Sequence, residues 1–136
     1  MLTATITIVA ATVAVPPPSN PYSEAGRRLF DSIRQVESGH LRNPERAVGD
    51  SGASIGPYQI QRRAWADAIE FDPTIGGTYE MVMDTRYAER IMVAYWSRYA
   101  PDWKPETLAR IHNGGPRGYR SSKTLNYWRR VNALLH

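Results

Sequence analysis

The sequence predicts a mainly helical α+β domain with a small β or loop insert after its first helix. Three observations carry that prediction. Apolar residues recur at steps of three and four over about 21–37, 61–70, 78–99, 105–112 and 122–135. The segment from 40 to 60 breaks this rhythm with Asn43-Pro44, Gly49-Asp50, Ser51-Gly52 and Gly56-Pro57. At 136 residues the chain holds one domain of this kind with a modest core.

The first 20 residues form a separate attachment. Leu2 to Val15 is apolar apart from its threonines, and Pro16-Pro17-Pro18 ends it. Fourteen residues are too few to span a bilayer but suit the apolar core of a signal peptide. No Lys or Arg precedes the run, so a chain that stays cytoplasmic until released is the alternative to a secreted or periplasmic one. The prolines read as an extended linker. Residues 21–136 form the functional domain.

The first helix opens with Asn20 as its cap and Pro21 in its first turn. Ala25, Leu29, Ile33 and Val36 make one apolar line, and Phe30, Ile33 and Glu37 a second. Gly39 supplies the stop. In the insert, only short extended pieces fit between the turns, Ala47-Val48 and Ser54-Ile55, with Asp50 near the tip of a small hairpin. Tyr58-Gln59-Ile60 leads into a second helix carrying Trp65, Ala68 and Ile69. The longest helix, 78–99, has the stripe Met81, Thr85, Ala88, Met92, Tyr95 and Tyr99, which reads as core packing rather than a cofactor box. Pro101 ends it. Leu108 and Ile111 mark the next helix, and His112 to Pro116 reads as a turn. Leu125, Trp128, Val131 and Leu135 give the last helix its face.

Two acids stand out because their settings differ. Glu37 projects from the apolar side of its helix, where loss of water favours the protonated form. Asp50 sits among hydroxyls and backbone amides that keep a carboxylate hydrated and ionised. One acid of each kind is the minimum equipment for cleaving a glycosidic bond. Either residue taken alone has a plainer reading, a capping Glu and a turn Asp. The net charge of +4 suits a polyanion, but the bases are scattered in short pairs such as Arg62-Arg63 and read as a solvated face. There is no Cys, which excludes disulfides and thiol chemistry. Three His far apart give no metal site, and no cofactor is expected.

The residues at these positions resemble the invertebrate-type, or destabilase-like, lysozymes. Val36-Glu37-Ser38-Gly39 is similar to the segment holding that family's catalytic Glu. Asp50, with Gly56-Pro57-Tyr58-Gln59-Ile60 after it, is similar to the catalytic Asp and the run that follows. Trp65 and Asp67 match a Tyr-Trp-x-Asp motif, and Tyr127-Trp128 a final Tyr-Trp. Ala109-Arg110-Ile111-His112-Asn113-Gly114-Gly115-Pro116 is the most specific match. The resemblance implies a lysozyme-like fold and a muramidase acting on peptidoglycan; a monomer is expected, and no nucleic-acid partner, since the sequence has no helix-turn-helix spacing or phosphate loop. It implies Glu37 and Asp50 as catalytic residues, and Tyr58, Gln59, His112, Asn113 and Gly114 as substrate-binding. One departure is systematic. His40, Ile55, Ala68 and Tyr119 stand where that family typically has Cys. Each lost disulfide removes about 2–5 kcal/mol from a small secreted domain, so packing must replace it. This points to a bacterial or phage-like relative. Two alternatives remain open. A lytic transglycosylase would use Glu37 without Asp50, and a non-catalytic wall-binding or nucleic-acid-binding module would need only basic charge and exposed aromatics.

Overall fold

The computed structural model describes residues 3–5, 23–49 and 52–136. The attachment and linker expected for 1–20 lie outside the described residues, apart from 3–5, and so do Asp50 and Ser51. In chain order the elements are α1 (Glu24–Ser38), β1 (Val48–Gly49), β2 (Ser54–Ile55), β3 (Ile60–Gln61), α2 (Arg62–Phe71), α3 (Thr85–Tyr99), α4 (Pro105–Gly114) and α5 (Leu125–Leu135). This is the mainly helical α+β arrangement expected, with its insert directly after the first helix.

The helix ends depart from the expected ones in three places. α1 begins at Glu24, and its cap is Ser23, whose Oγ accepts from the Gly26 N–H at 3.2 Å. Asn20 and Pro21 lie outside the described residues. The expected helix over 78–99 is two elements, because Tyr79–Met83 winds as a 3₁₀ turn and α3 starts only at Thr85. Asp84 separates them by accepting from the Tyr87 N–H at 2.9 Å, a side-chain cap that competes with a continuous helix. Met81 is consequently exposed and not part of the core stripe, whereas Ala88, Met92 and Tyr95 are buried in it. Residues 112–114, expected as a turn, are the last turn of α4, which ends where Gly115 takes a φ of 83°.

The insert is a three-stranded antiparallel sheet in the order β1-β2-β3. Val48 pairs with Ile55 and Gly49 with Ser54, then Ser54 with Gln61 and Ile55 with Ile60. Gly56 starts the turn between β2 and β3 with a φ of 82°, and a Cβ there would come within 2.5 Å of the Val82 carbonyl oxygen. Only glycine meets both demands.

The core joins all the helices to the sheet. Phe30 and Ile33 of α1, Ile91 and Trp96 of α3, Ile111 of α4 and Val131 of α5 are buried together with Tyr58. Phe30 stacks on Trp96 with centroids 5.5 Å apart. Two of the positions where cysteine was expected by resemblance, Ile55 and Ala68, belong to this core, and Tyr119 packs against it. Hydrophobic burial therefore occupies those sites. His40 is exposed. One charged group lies inside the core. Glu89, 2% exposed, takes both guanidinium nitrogens of Arg27 at 2.8 and 2.6 Å and the Tyr58 hydroxyl at 2.6 Å.

Candidate active site

Glu37 stands in the last turn of α1, and the residue after it anchors that turn. Ser38 is fully buried, and its hydroxyl donates to the Pro57 carbonyl at 2.7 Å. The end of α1 is thereby tied to the β2–β3 turn. From the other side comes His112, at the end of α4. Its Nε2 lies 2.8 Å from the Tyr58 carbonyl oxygen and 3.5 Å from Glu37 Oε1. A carbonyl only accepts, so Nε2 carries a proton and donates it to Tyr58. The side chains of Glu37 and His112 are 19% and 8% exposed, so the acid is largely shielded yet still open to a ligand.

A third group faces Glu37 from α5. The Tyr127 hydroxyl is buried and has no hydrogen-bond partner of normal geometry. Burial first, and the neighbouring Glu37 carboxylate second, hold its pKa well above the ordinary tyrosine value. An orphaned buried hydroxyl beside an acid is poised to donate to that acid after a small movement.

Glu37 and His112 open into one cleft of about 630 Å³. Of the residues expected to bind substrate, Gln59, His112, Asn113 and Gly114 line it. Tyr58 does not. Its ring is fully buried and its hydroxyl is committed to Glu89, so only its backbone carbonyl serves the site, through His112. Burial, then the Glu89 hydrogen bond, raises the pKa of that hydroxyl far above the usual range. Gln59 holds a φ of 51°, and its Nε2 donates to the Gly56 carbonyl at 2.9 Å. Its Oε1 fills the space where a Cβ on Gly49 would stand. Any larger residue at the position before Asp50 would displace the Gln59 amide. Asp50 itself lies outside the described residues.

The sequence reading missed the wall supplied by α2 and α3. Arg63, Asp67, Tyr95 and Tyr99 line the cleft. The Tyr99 hydroxyl donates to Asp67 Oδ2 at 3.1 Å, and Tyr95 meets Tyr99 edge-on with centroids 4.9 Å apart. Burial, then the Asp67 charge, pushes the Tyr95 hydroxyl up to about 12. Tyr95 is buried in the core and Tyr99 packs against it, as their stripe predicts, and both also line the cleft, since a helical stripe does not tell a core face from a cleft face. Among the described residues no three His, Asp or Glu side chains gather as a metal site requires.

Fold and cleft together define a class, a helical α+β domain in which a shielded Glu at a helix end heads a cleft floored by a small sheet. Comparison with known proteins gives the family. The Destabilase family model matches residues 30–134, and the chain belongs to this family of invertebrate-type lysozymes. Lysozyme 1 of Crassostrea virginica is 39% identical over 85 residues, which are 59% of this chain but only 44% of that protein. The chain thus spans less than half the length of that relative. A lysozyme of Meretrix lusoria is 31% identical over 114 residues, 79% of this chain and 88% of that protein. Among solved structures, Meretrix lusoria lysozyme in complex with Aeromonas hydrophila PliI superposes with a TM-score of 0.67 at 31% identity, covering 79% of this chain and 88% of that one. Tapes japonica lysozyme gives 0.66 at 30% identity, covering 77% and 86%. None of this bears on a bacterial or phage origin.

Proposed function

We propose that the chain is a glycosidase of the lysozyme type that cleaves the β-1,4 bonds of peptidoglycan, with Glu37 as its acid and base. The observation that carries this reading is the placement of Glu37 in the cleft, 3.5 Å from His112 and beside the buried Tyr127 hydroxyl, on a helix end that Ser38 ties to the sheet, in a family whose named relatives are lysozymes. Glu37 protonates the glycosidic oxygen of the leaving sugar. Its remaining negative charge is then met by the Tyr127 hydroxyl, with the His112 ring fixed alongside. Asp50 stabilises the oxocarbenium-like transition state or attacks the anomeric carbon to form a glycosyl-enzyme. Water, activated by Glu37, completes hydrolysis with retention. Asn113, Gly114 and Gln59 orient the sugars.

Product analysis by mass after digestion of purified peptidoglycan tests the two-acid mechanism. Reducing-end products that vanish with Asp50→Asn support it. Anhydro-sugar products that survive Asp50→Asn would instead assign the chain to the lytic transglycosylases, which use one Glu. That second reading is favoured by one observation. The other carboxylate lining the cleft among the described residues, Asp67, is already engaged by Tyr99.

A further inference from the structure

We infer that Arg63 is a specificity determinant of the cleft, binding a carboxylate that muramyl glycans carry and neutral N-acetylglucosamine polymers lack. This rests on the glycosidase reading above and names the substrate class that the same cleft prefers.

Arg63 lies in the first turn of α2 and lines the cleft that holds Glu37. Among the described residues no acid accounts for a cation there. The start of a helix favours acids, and the first turn of α2 has none to offset the charge. The arginines around it are used structurally. Arg62 pairs with Glu80 at 3.3 Å, and Arg98 pairs with Glu70 at 3.3 Å while donating to the Asp67 carbonyl at 2.9 Å. Arg63 has no ion pair with any acid among the described residues. Asp67 stands one turn further along the same helix, yet its carboxylate takes the Tyr99 hydroxyl instead. The Arg63 charge also reaches the Tyr95 hydroxyl of the same cleft, where it opposes the effect of Asp67.

An unpaired guanidinium in a cleft is a carboxylate receptor, since its planar fork matches both oxygens at once. Every second sugar of a peptidoglycan strand bears a lactyl ether. It ends in a carboxylate when free, or in a stem peptide that carries further carboxylates. Chitin has none. A cation in the cleft therefore separates the two polymers by charge, while the hydrogen-bonding groups of the cleft treat their shared amino-sugar backbone alike.

The test compares the parent with Arg63→Gln and Arg63→Lys. Three readouts are needed: kcat/KM on intact peptidoglycan strands, kcat/KM on strands stripped of stem peptides by an amidase, and Kd for N-acetylglucosamine oligomers. Thermal unfolding confirms the fold of each variant. The expected result for Arg63→Gln is a loss of about tenfold or more on intact strands, carried by KM, with the Kd for neutral oligomers shifted less than threefold. Arg63→Lys should recover part of the loss, and added salt should shrink the difference between parent and variant. A loss that persists on stripped strands assigns the lactyl carboxylate, and one that disappears there assigns the stem peptide. Equal losses for both polymer classes, or no loss on either, would overturn the inference while leaving the glycosidase reading intact. A folded parent that cleaves neither kind of strand would overturn that reading, and this inference with it.

Discussion

Glu37 owes its setting to residues distant in sequence, and each can be tested singly. His112 has its Nε2 proton committed to the Tyr58 carbonyl, so it presents a fixed edge to the acid. Tyr127 contributes a buried hydroxyl beside Glu37 that makes no hydrogen bond of normal geometry. Leaving such a group unsatisfied costs about 1–3 kcal/mol. Tyr127→Phe should therefore unfold at the same temperature as the parent or a higher one, while turnover falls about fivefold because ionised Glu37 loses a donor. Thermal melts together with kcat report both effects. A lower melting temperature would mean that the hydroxyl is bonded after all, and an unchanged kcat would make it a bystander. Glu37 itself was legible in the sequence, because an acid on the apolar side of a helix is out of register with its surroundings. Tyr127 was legible only as part of a resemblance, and its position beside Glu37 was not, since no local pattern joins residues 90 apart.

At the scale of elements, the site depends on how the end of α1 meets the β2–β3 turn. Ser38 makes that joint by donating to the Pro57 carbonyl. Ser38→Ala would leave this carbonyl without its donor, and we expect about 1–3 kcal/mol of destabilisation in denaturant titrations. Activity should fall more than stability alone explains, because the Tyr58 carbonyl that orients His112 belongs to the same turn. An activity loss that merely tracks the unfolded fraction would refute that link. The sequence disclosed the insert through its turn residues, and Ser54-Ile55 is the strand expected. It concealed Ile60–Gln61, because two residues show no alternation, and the following helix masks them. It also concealed the break before α3. There the apolar spacing runs on unbroken, and the cap at Asp84 overrides it.

Across the whole molecule, hydrophobic packing and one buried ionic group hold the elements together without a disulfide. Glu89 joins α3 to α1 and to the β2–β3 turn through Arg27 and Tyr58. Removing one partner of such a group is costly, and Glu89→Ala should lose about 3 kcal/mol by chemical denaturation. A loss below roughly 1 kcal/mol would show that Arg27 and Tyr58 rehydrate freely. The buried tyrosines also set an alkaline limit. Burial raises the Tyr58, Tyr95 and Tyr127 hydroxyls above the ordinary value of 10, Tyr95 to about 12. Their contribution is complete below pH 10, where folded and unfolded chains both keep the proton. Above it the unfolded chain ionises first, so stability falls as pH rises through 12 for Tyr95 and further for the other two. Unfolding free energy should be level near neutrality and decline above pH 10, and Tyr95→Phe should make the decline between 10 and 12 shallower. A decline of the same slope in both proteins would place the alkaline limit elsewhere. None of this burial is stated by composition. The aromatic content promised a core, but which hydroxyls it would enclose depends on how five helices meet.

The central claim is that Glu37 is the acid of a peptidoglycan-cleaving cleft. Its most direct test is the rate of release of soluble fragments from purified peptidoglycan by the parent and by Glu37→Gln, with circular dichroism to establish that both are folded. Release by the parent is expected, with a fall of about 10²–10⁴-fold in the variant at unchanged fold. A folded Glu37→Gln that releases fragments at the parent's rate would contradict it.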